Sequence, residues 1–483
     1  MEIHPSWKPE KSSGLPLYKQ IAGYLRERIG SGEWTVGSAI PPQRDLAAQF
    51  GVNRSTIVTA LEELRAEGLL EGQTGSGTRV RSTPQPGPPD SAPLDWNAYV
   101  NRGIHQPNLP AVRAINRAEA DPSIVRLGTG ELAPELIPSA MLQRMLGSIA
   151  QRHLPGGYEE PLGSPELRAE ISRHLAGYGI TAAPASILIV SGALQALHLI
   201  SMGILRQGST VFLENPSYLH SIHAMPAVHT RMVGLPMDDE GLRLDELSRY
   251  GNAMEGAVVY TIPSFHNPTG IVMSGQRRGE VLRFCQERRL PLLEDDVYRD
   301  LWLDAPPPPP IKALDTQGVT LYIGSLSKTL SPGLRVGWIV GPQLVIERLA
   351  DIKMQTDYGT SSLSQVLARE CLGAGLYEEH LQRVRTQLTV RRDAMLEALE
   401  RYCRGLLEWR VPQGGFYVWA RILTRTGARP LFERMLSRGF LLNPGYVYGP
   451  SCESHLRLSY AYASLPDMQR GIRELGGLLR GGQ

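Results

Sequence analysis

Residues 81–93, Arg-Ser-Thr-Pro-Gln-Pro-Gly-Pro-Pro-Asp-Ser-Ala-Pro, constrain the fold more than any other stretch. Each proline fixes φ and removes a backbone donor, so neither a helix nor a sheet ladder can run through them. The stretch reads as an extended, semi-stiff spacer, and the chain must fold on either side of it. A length of 483 residues, too great for one ordinary core, agrees.

Composition narrows the class. Hydrophobic content of 42% and charged content of 20% are those of a globular protein. A net charge of +2 carries no global basic field, which leaves room only for a local nucleic-acid module. Cys285, Cys371, Cys403 and Cys452 are scattered without metal-ligand spacing and read as reduced thiols. The first residues lack a basic and then apolar leader, and no apolar run is long enough to span a bilayer. The expectation is a soluble, cytoplasmic protein without membrane or metal.

Before the spacer, Leu17, Ile21, Leu25 and Ile29 recur at helical spacing from Pro16, and Gly30-Ser-Gly32 stops the helix. Pro41-Pro42 opens a second helix with Leu46, Ala47 and Phe50 on one side. Asn53 is a good N-cap for a third, Arg54 to about Glu67, with Ile57, Leu61 and Leu64 inward. Leu69–Gly72 and Thr78–Val80 flank a glycine-rich turn and read as a hairpin. Three helices and a hairpin describe a winged helix-turn-helix, an α+β module; a helical interaction domain is the plainer alternative. For DNA, the first turn of helix three is where side chains reach bases. Candidate contacts are Arg44, Arg54, Ser55 and Thr56, with Thr74, Gly75 and Gly77 at the hairpin tip and Arg79 and Arg81 for phosphates.

Pro42-Gln-Arg-Asp-Leu-Ala47, Val52-Asn-Arg-Ser-Thr56 and Gly75-Ser-Gly-Thr-Arg-Val80 resemble the DNA-binding domain of the GntR family, over roughly residues 14–82. Pro42-Gln43 departs from the small polar residue more usual there, which weakens any contact assigned to Gln43.

Beyond Pro93 strand and helix signals alternate, the pattern of an α/β fold with a mostly parallel sheet. Leu94–Val100 reads as already packing on this second module. Ligands of such sheets bind at the carboxyl ends of strands. Ile187–Val190 leads to Ser191-Gly192-Ala193, a helix start suited to phosphate. Val211–Leu213 leads to Tyr218, and Ala257–Tyr260 leads to His266-Asn267-Pro-Thr-Gly270. Leu290–Leu293 leads to Glu294-Asp295-Asp296-Val-Tyr298, where a carboxylate can pair with a pyridinium nitrogen or cap a helix. Val319–Gly324 leads to Ser325-Leu-Ser327-Lys328 and on to Arg335. A desolvated lysine there can form a Schiff base, beside hydroxyls and an arginine fit for phosphate. An ordinary surface lysine is the alternative on that stretch alone.

In this order the motifs resemble fold type I pyridoxal phosphate enzymes of the aspartate aminotransferase superfamily, from about Asp121 onward. The resemblance implies pyridoxal 5'-phosphate on Lys328 and backbone donation to its phosphate from Gly192, Ala193 and Leu194. Ser325, Ser327 and Arg335 would complete the phosphate site. Tyr218 would stack on the ring, Asn267 and Tyr298 would bond its oxygen, and Asp295, by the D-x-x-Y spacing, its nitrogen. Tyr158 would reach the phosphate of a partner subunit. Pro412–Trp419, Pro444-Gly-Tyr446 and His455–Ser459 match the small domain, with Arg457 on the substrate carboxylate.

The fusion resembles the MocR/GabR regulators. It implies 14–82 as a winged helix, 83–117 as the linker and start of packing, and 118–483 as an aminotransferase-like module. Its large domain would be about 155–345, its small domain about 118–154 plus 346–483. The implied function is a homodimeric, head-to-tail transcriptional regulator that binds double-stranded DNA at repeated half-sites. It would sense an amino acid or amine effector by external aldimine formation. An active aminotransferase, and a regulator sensing pyridoxal phosphate itself, are the alternatives.

Overall fold

The computed structural model describes residues 7–73, 77–82, 96–102, 108–152, 156–222, 230–251 and 256–481. The chain divides into two compact units, Met1–Gln106 and Pro107–Gln483.

The first unit has helices α1 (Leu17–Gly30), α2 (Gln43–Phe50) and α3 (Arg54–Ala66), then an antiparallel hairpin of β1 (Leu70–Gln73) and β2 (Gly77–Val80). This is the winged helix-turn-helix expected from the periodicity. Ile21, Leu25, Ile29, Leu46, Phe50, Ile57, Leu61 and Leu64 meet Trp34 and Val80 in one core. Each such side chain contributes roughly 1.5–3 kcal/mol by leaving water. Asn53 precedes α3 in extended conformation, but its side chain caps nothing; the expected N-cap is one of position only. Arg26 on α1 bonds Glu67 at 2.9 Å and lies 3.8 Å from Glu63. Two acids of the third helical region are thereby turned toward α1. Trp96 and Tyr99 are 61% and 59% exposed. Their rings lie 6.1 Å apart, on a helix of only 6 residues, Trp96–Asn101.

The second unit begins with α4 (Pro110–Glu119) and β3 (Val125–Arg126). Its central sheet comprises β4 (Ile187–Val190), β5 (Thr210–Asn215), β6 (Arg231–Asp238), β7 (Gly241–Leu242), β8 (Val258–Thr261), β9 (Leu292–Asp295), β10 (Thr320–Ser325) and β11 (Gly337–Val340). Their order is β4-β11-β10-β9-β8-β5-β6-β7. β10, β9, β8, β5 and β6 pair in parallel, and β11 runs antiparallel to both β10 and β4. β4, β8, β9, β10 and β11 are buried throughout, as a sheet covered on both faces requires. α5 (Ala193–Ile204) follows β4 directly, and the long α6 (Leu376–Cys403) leads toward the C-terminal part.

There, β12 (Leu407–Trp409), β13 (Tyr417–Ile422), β15 (Asn443–Pro444) and β16 (His455–Ser459) form a second sheet in the order β12-β13-β16-β15, while β14 (Phe440–Leu441) pairs with β3. Within 118–154, therefore, β3 joins the C-terminal part. Met141, Met145 and Ile149 instead pack with Leu167, Ile187 and Ile189 against the central sheet. No helix among the described residues is long and apolar enough to cross a membrane.

Candidate functional site

In the first unit, Arg54 and Ser55 are exposed in the first turn of α3 and Thr56 is half-buried. Arg54 donates from Nε and Nη2 to Gln43 Oε1, both at 3.2 Å, so Gln43 orients the arginine rather than standing idle. The Arg44 side chain is 85% exposed. Gly77 starts β2 on the surface; Thr74 and Gly75 lie outside the described residues. Arg79 departs from expectation. Its Nη1 donates to Gly37 O at 2.8 Å, a bond inside the unit. Arg65, which sequence reasoning missed, ties α3 to the hairpin by donating to Thr78 Oγ1 at 2.6 Å.

In the second unit, parallel pairing brings the carboxyl ends of β5, β8, β9 and β10 to one edge, and β4 runs the same way across β11. The predicted residues other than Tyr158 meet there. At the end of β4, Gly192 has φ of 89°, and a Cβ on it would stand 2.5 Å from Arg335 Nη2. Only glycine permits this approach. Arg335 donates to Ser191 O at 2.5 Å and to Ser327 Oγ at 3.4 Å, and Ser325 Oγ lies 3.0 Å from Ser327 Oγ. Two hydroxyls, a guanidinium and the first N–H groups of α5 thus share one corner. Leu194 in that first turn is 40% exposed.

The three acids after β9 have three different environments. Glu294 accepts from the N–H groups of Ile311 and Lys312 at 2.7 and 2.8 Å, and so caps a short helix. Burial, then Asp296, pushes its carboxyl up to about 7. Asp296 is paired with Arg299. Asp295 accepts from Tyr260 OH at 2.7 Å on Oδ2, and its buried Oδ1 has no partner among the described residues. Burial pushes Asp295 up to about 6, against the pull of the Tyr260 hydroxyl. Asp295 lines the cavity; Glu294 and Asp296 do not.

Two cavities adjoin. One, of about 190 Å³, is lined by Ala193, Leu194, Asp295, Tyr298, Ser325, Ser327 and Arg335. The other, of about 220 Å³, is lined by Glu119, Gly130, Tyr417, Tyr448 and Arg457. Tyr218, Asn267 and Lys328 line both. Lys328 is half-buried, and its Nζ donates to Gly130 O at 2.7 Å. Asn267 Nδ2 lies 3.4 Å from Tyr298 OH, which lies 3.1 Å from Tyr417 OH. Arg457 is buried, its guanidinium 4.0 Å over the Tyr417 ring and 4.8 Å over that of Tyr448. Burial opposes its charge, but Tyr417, Tyr448, Tyr298 and Glu119 hold it above its ordinary value. Tyr158 is not in either cavity; it is 85% exposed, its ring 4.9 Å from that of Tyr358.

Residues 17–80 match the bacterial regulatory proteins of the gntR family, and residues 122–475 match aminotransferase class I and II. The "Uncharacterized HTH-type transcriptional regulator YdfD" of Bacillus subtilis (strain 168) is 50% identical over 472 residues, 98% of either chain. The chain belongs to this family of gntR regulators with an aminotransferase class I and II module. The HTH-type transcriptional regulator NorG of Staphylococcus aureus (strain N315) is 34% identical over 90% of this chain and 98% of its own. Among solved structures, the multiple substrate aminotransferase of Thermococcus profundus superimposes with a TM-score of 0.74 at 28% identity, over 80% of this chain and 99% of its own. LysN, the α-aminoadipate aminotransferase of Thermus thermophilus, solved with N-(5'-phosphopyridoxyl)-L-leucine, gives 0.72 at 31% identity, over the same shares. The second unit has the aminotransferase fold.

Tyr260, Gly130 and Glu119 were not anticipated. Tyr260 sits inside an apolar strand run and reads as core, and Gly128-Thr-Gly130 carries no signal beyond a turn.

Proposed function

We propose that the protein is a cytoplasmic, homodimeric transcriptional regulator that binds double-stranded DNA through its first unit. The second unit would bind pyridoxal 5'-phosphate and respond to an amino acid or amine. The observation that carries the reading is the position of Lys328 on the wall common to two cavities, one fit for the cofactor and one for an effector.

The cofactor fit rests on this chain's own atoms. Asp295 Oδ1 is a buried acceptor awaiting a donor, which a protonated ring nitrogen supplies. Gly192 leaves a gap beside Arg335 that any side chain would fill. Ser325, Ser327, Arg335 and the N–H groups of Gly192, Ala193 and Leu194 would hold the phosphate. Tyr218 would stack on the ring, and Asn267 and Tyr298 would bond its oxygen. When bound, the cofactor supplies an aldehyde for amine capture and a ring able to accept electron density. Lys328 is the residue that tethers it, and Gly130 O is the acceptor for the lysine ammonium once released. Arg457 would take the effector's carboxylate. Tyr158 would serve the site of the partner subunit in a head-to-tail dimer.

Arg44, Arg54, Ser55, Thr56 and the hairpin tip at Thr74, Gly75 and Gly77 would contact DNA at repeated half-sites. We retain 14–82 as the winged helix, 83–117 as the connection and 118–483 as the second module. Its larger part is about 155–345 and its smaller about 118–154 with 346–483. The packing of Met141, Met145 and Ile149 on the central sheet favours moving their helix to the larger part.

A complete set of candidate catalytic residues also favours a second reading, a working aminotransferase. The two separate on one preparation. Cofactor-loaded protein should show visible absorbance that Lys328→Ala shifts, and an amino acid should change both that absorbance and DNA affinity. Steady turnover of an amino acid and a keto acid without any change in DNA affinity would favour the enzyme.

A further inference from the structure

The cavity under Arg457 holds more negative charge than a carboxylate-bearing effector requires. One face of α4 lines it, with Val112, Ile115, Asn116 and Glu119 at positions i, i+3, i+4 and i+7. Glu119 Oε1 accepts from Thr129 Oγ1 at 2.8 Å, which fixes the carboxylate. Its other oxygen accepts no hydrogen bond among the described residues. Glu131, exposed, lines the same cavity. Among the described lining residues, Lys328 and Arg457 are the only cations.

An α-amino acid that seats its carboxylate on Arg457 and puts its amine in place of Lys328 uses both of those positions, the released lysine staying on Gly130 O. Its side chain is left facing apolar Val112, Ile115 and Ile222 and two carboxylates. An aliphatic stem suits the apolar walls, and a positive end suits the acids. A second carboxylate would meet like charge in a partly desolvated site, where such repulsion is felt strongly.

We propose that the effector is a basic α-amino acid, an aliphatic stem ending in an ammonium or guanidinium group, and that Glu119 is the residue that selects it. This rests on the effector reading above. It goes beyond that reading by naming the ligand class and the side chain that reads it.

Three amino acids of equal carbon number separate the terms: L-ornithine, L-norvaline and L-glutamate. Each is titrated into cofactor-loaded full-length protein, with visible absorbance and DNA affinity as readouts. L-Ornithine should bind on the order of ten-fold more tightly than L-norvaline, the effect of one favourable charge contact, with L-glutamate weakest. Glu119→Gln keeps an acceptor for Thr129. It should bring L-ornithine to the affinity of L-norvaline and improve L-glutamate. The wild-type order alone stands as a test should the variant fold poorly. Equal binding of all three overturns the inference and leaves the effector reading intact, as does an unchanged preference in Glu119→Gln. If none of the three alters absorbance that depends on Lys328 while another amino acid or amine does, the inference alone is overturned; if no amino acid or amine does, both are.

Discussion

Arg457 donates from Nη1 to Oδ1 of Asn267 at 2.8 Å. The guanidinium proposed to take an effector's carboxylate is thus bonded to the amide proposed to lie beside the cofactor ring. Its Nη2 is held by Gly128 O at 2.7 Å. A ligand that pulls on Arg457 acts on Asn267 as well.

Arg457→Lys retains a charge but not a planar fork with several fixed donors. Amino-acid affinity should fall on the order of thirty-fold, about 2 kcal/mol. The corresponding decarboxylated amine should lose little. Parallel titrations of an amino acid and its amine check this, and an equal loss for both would show that Arg457 does not read the carboxylate.

Asp295 carries a cost that cofactor binding can relieve. Its carboxyl is held at about 6, above its ordinary 3.8, by burial. A group raised in the folded state contributes stability that is complete below 3.8 and lost as pH climbs through about 6. The difference corresponds to roughly 2–3 kcal/mol. Glu294, held at about 7, extends the same trend. Melting of the cofactor-free protein should therefore weaken between about pH 4 and pH 7. In Asp295→Asn the decline should be shallower, and cofactor should wash out more readily. A decline of equal steepness would show that Asp295 is not the strained group.

Gly192→Ala places a Cβ within 2.5 Å of the Arg335 guanidinium at a φ that disfavours it. Arg335 must move, and the corner proposed for phosphate loses its cation. Equilibrium dialysis should find cofactor affinity lowered at least ten-fold while the far-ultraviolet circular dichroism is unchanged. Retained affinity would exclude that corner as the phosphate site.

Arg54→Ala removes an exposed side chain at the start of α3, so folding should be unaffected. Affinity for the cognate operator should drop about ten-fold or more, with less loss on scrambled DNA. Competition gel shifts at fixed salt measure both. Equal losses on the two DNAs would assign Arg54 to phosphates rather than bases.

Much of this is legible in the chain because the signals are local. The helices of the first unit follow the spacing of Ile21, Leu25 and Ile29, and of Ile57, Leu61 and Leu64. The gathering of Tyr218, Asn267, Asp295 and Lys328 follows from reading what ends each buried strand. Long-range pairings are not legible. Nothing near Tyr260 announces that its hydroxyl meets Asp295, nor does anything near Gly130 announce Lys328, 198 residues away. Arg79 reads as free for DNA because its partner, the Gly37 carbonyl, carries no side-chain signal. Helix 139–152 goes with the small domain by its position in the chain, whereas its buried methionines follow the central sheet.

The central claim is that Lys328 links the two cavities to DNA binding. The most direct test is operator affinity of the cofactor-loaded protein, with and without L-ornithine, in wild type and Lys328→Ala. The account predicts a full affinity change in wild type and a diminished one in the variant, which should also lack the lysine-dependent part of the visible absorbance. An equal response in both proteins would contradict it.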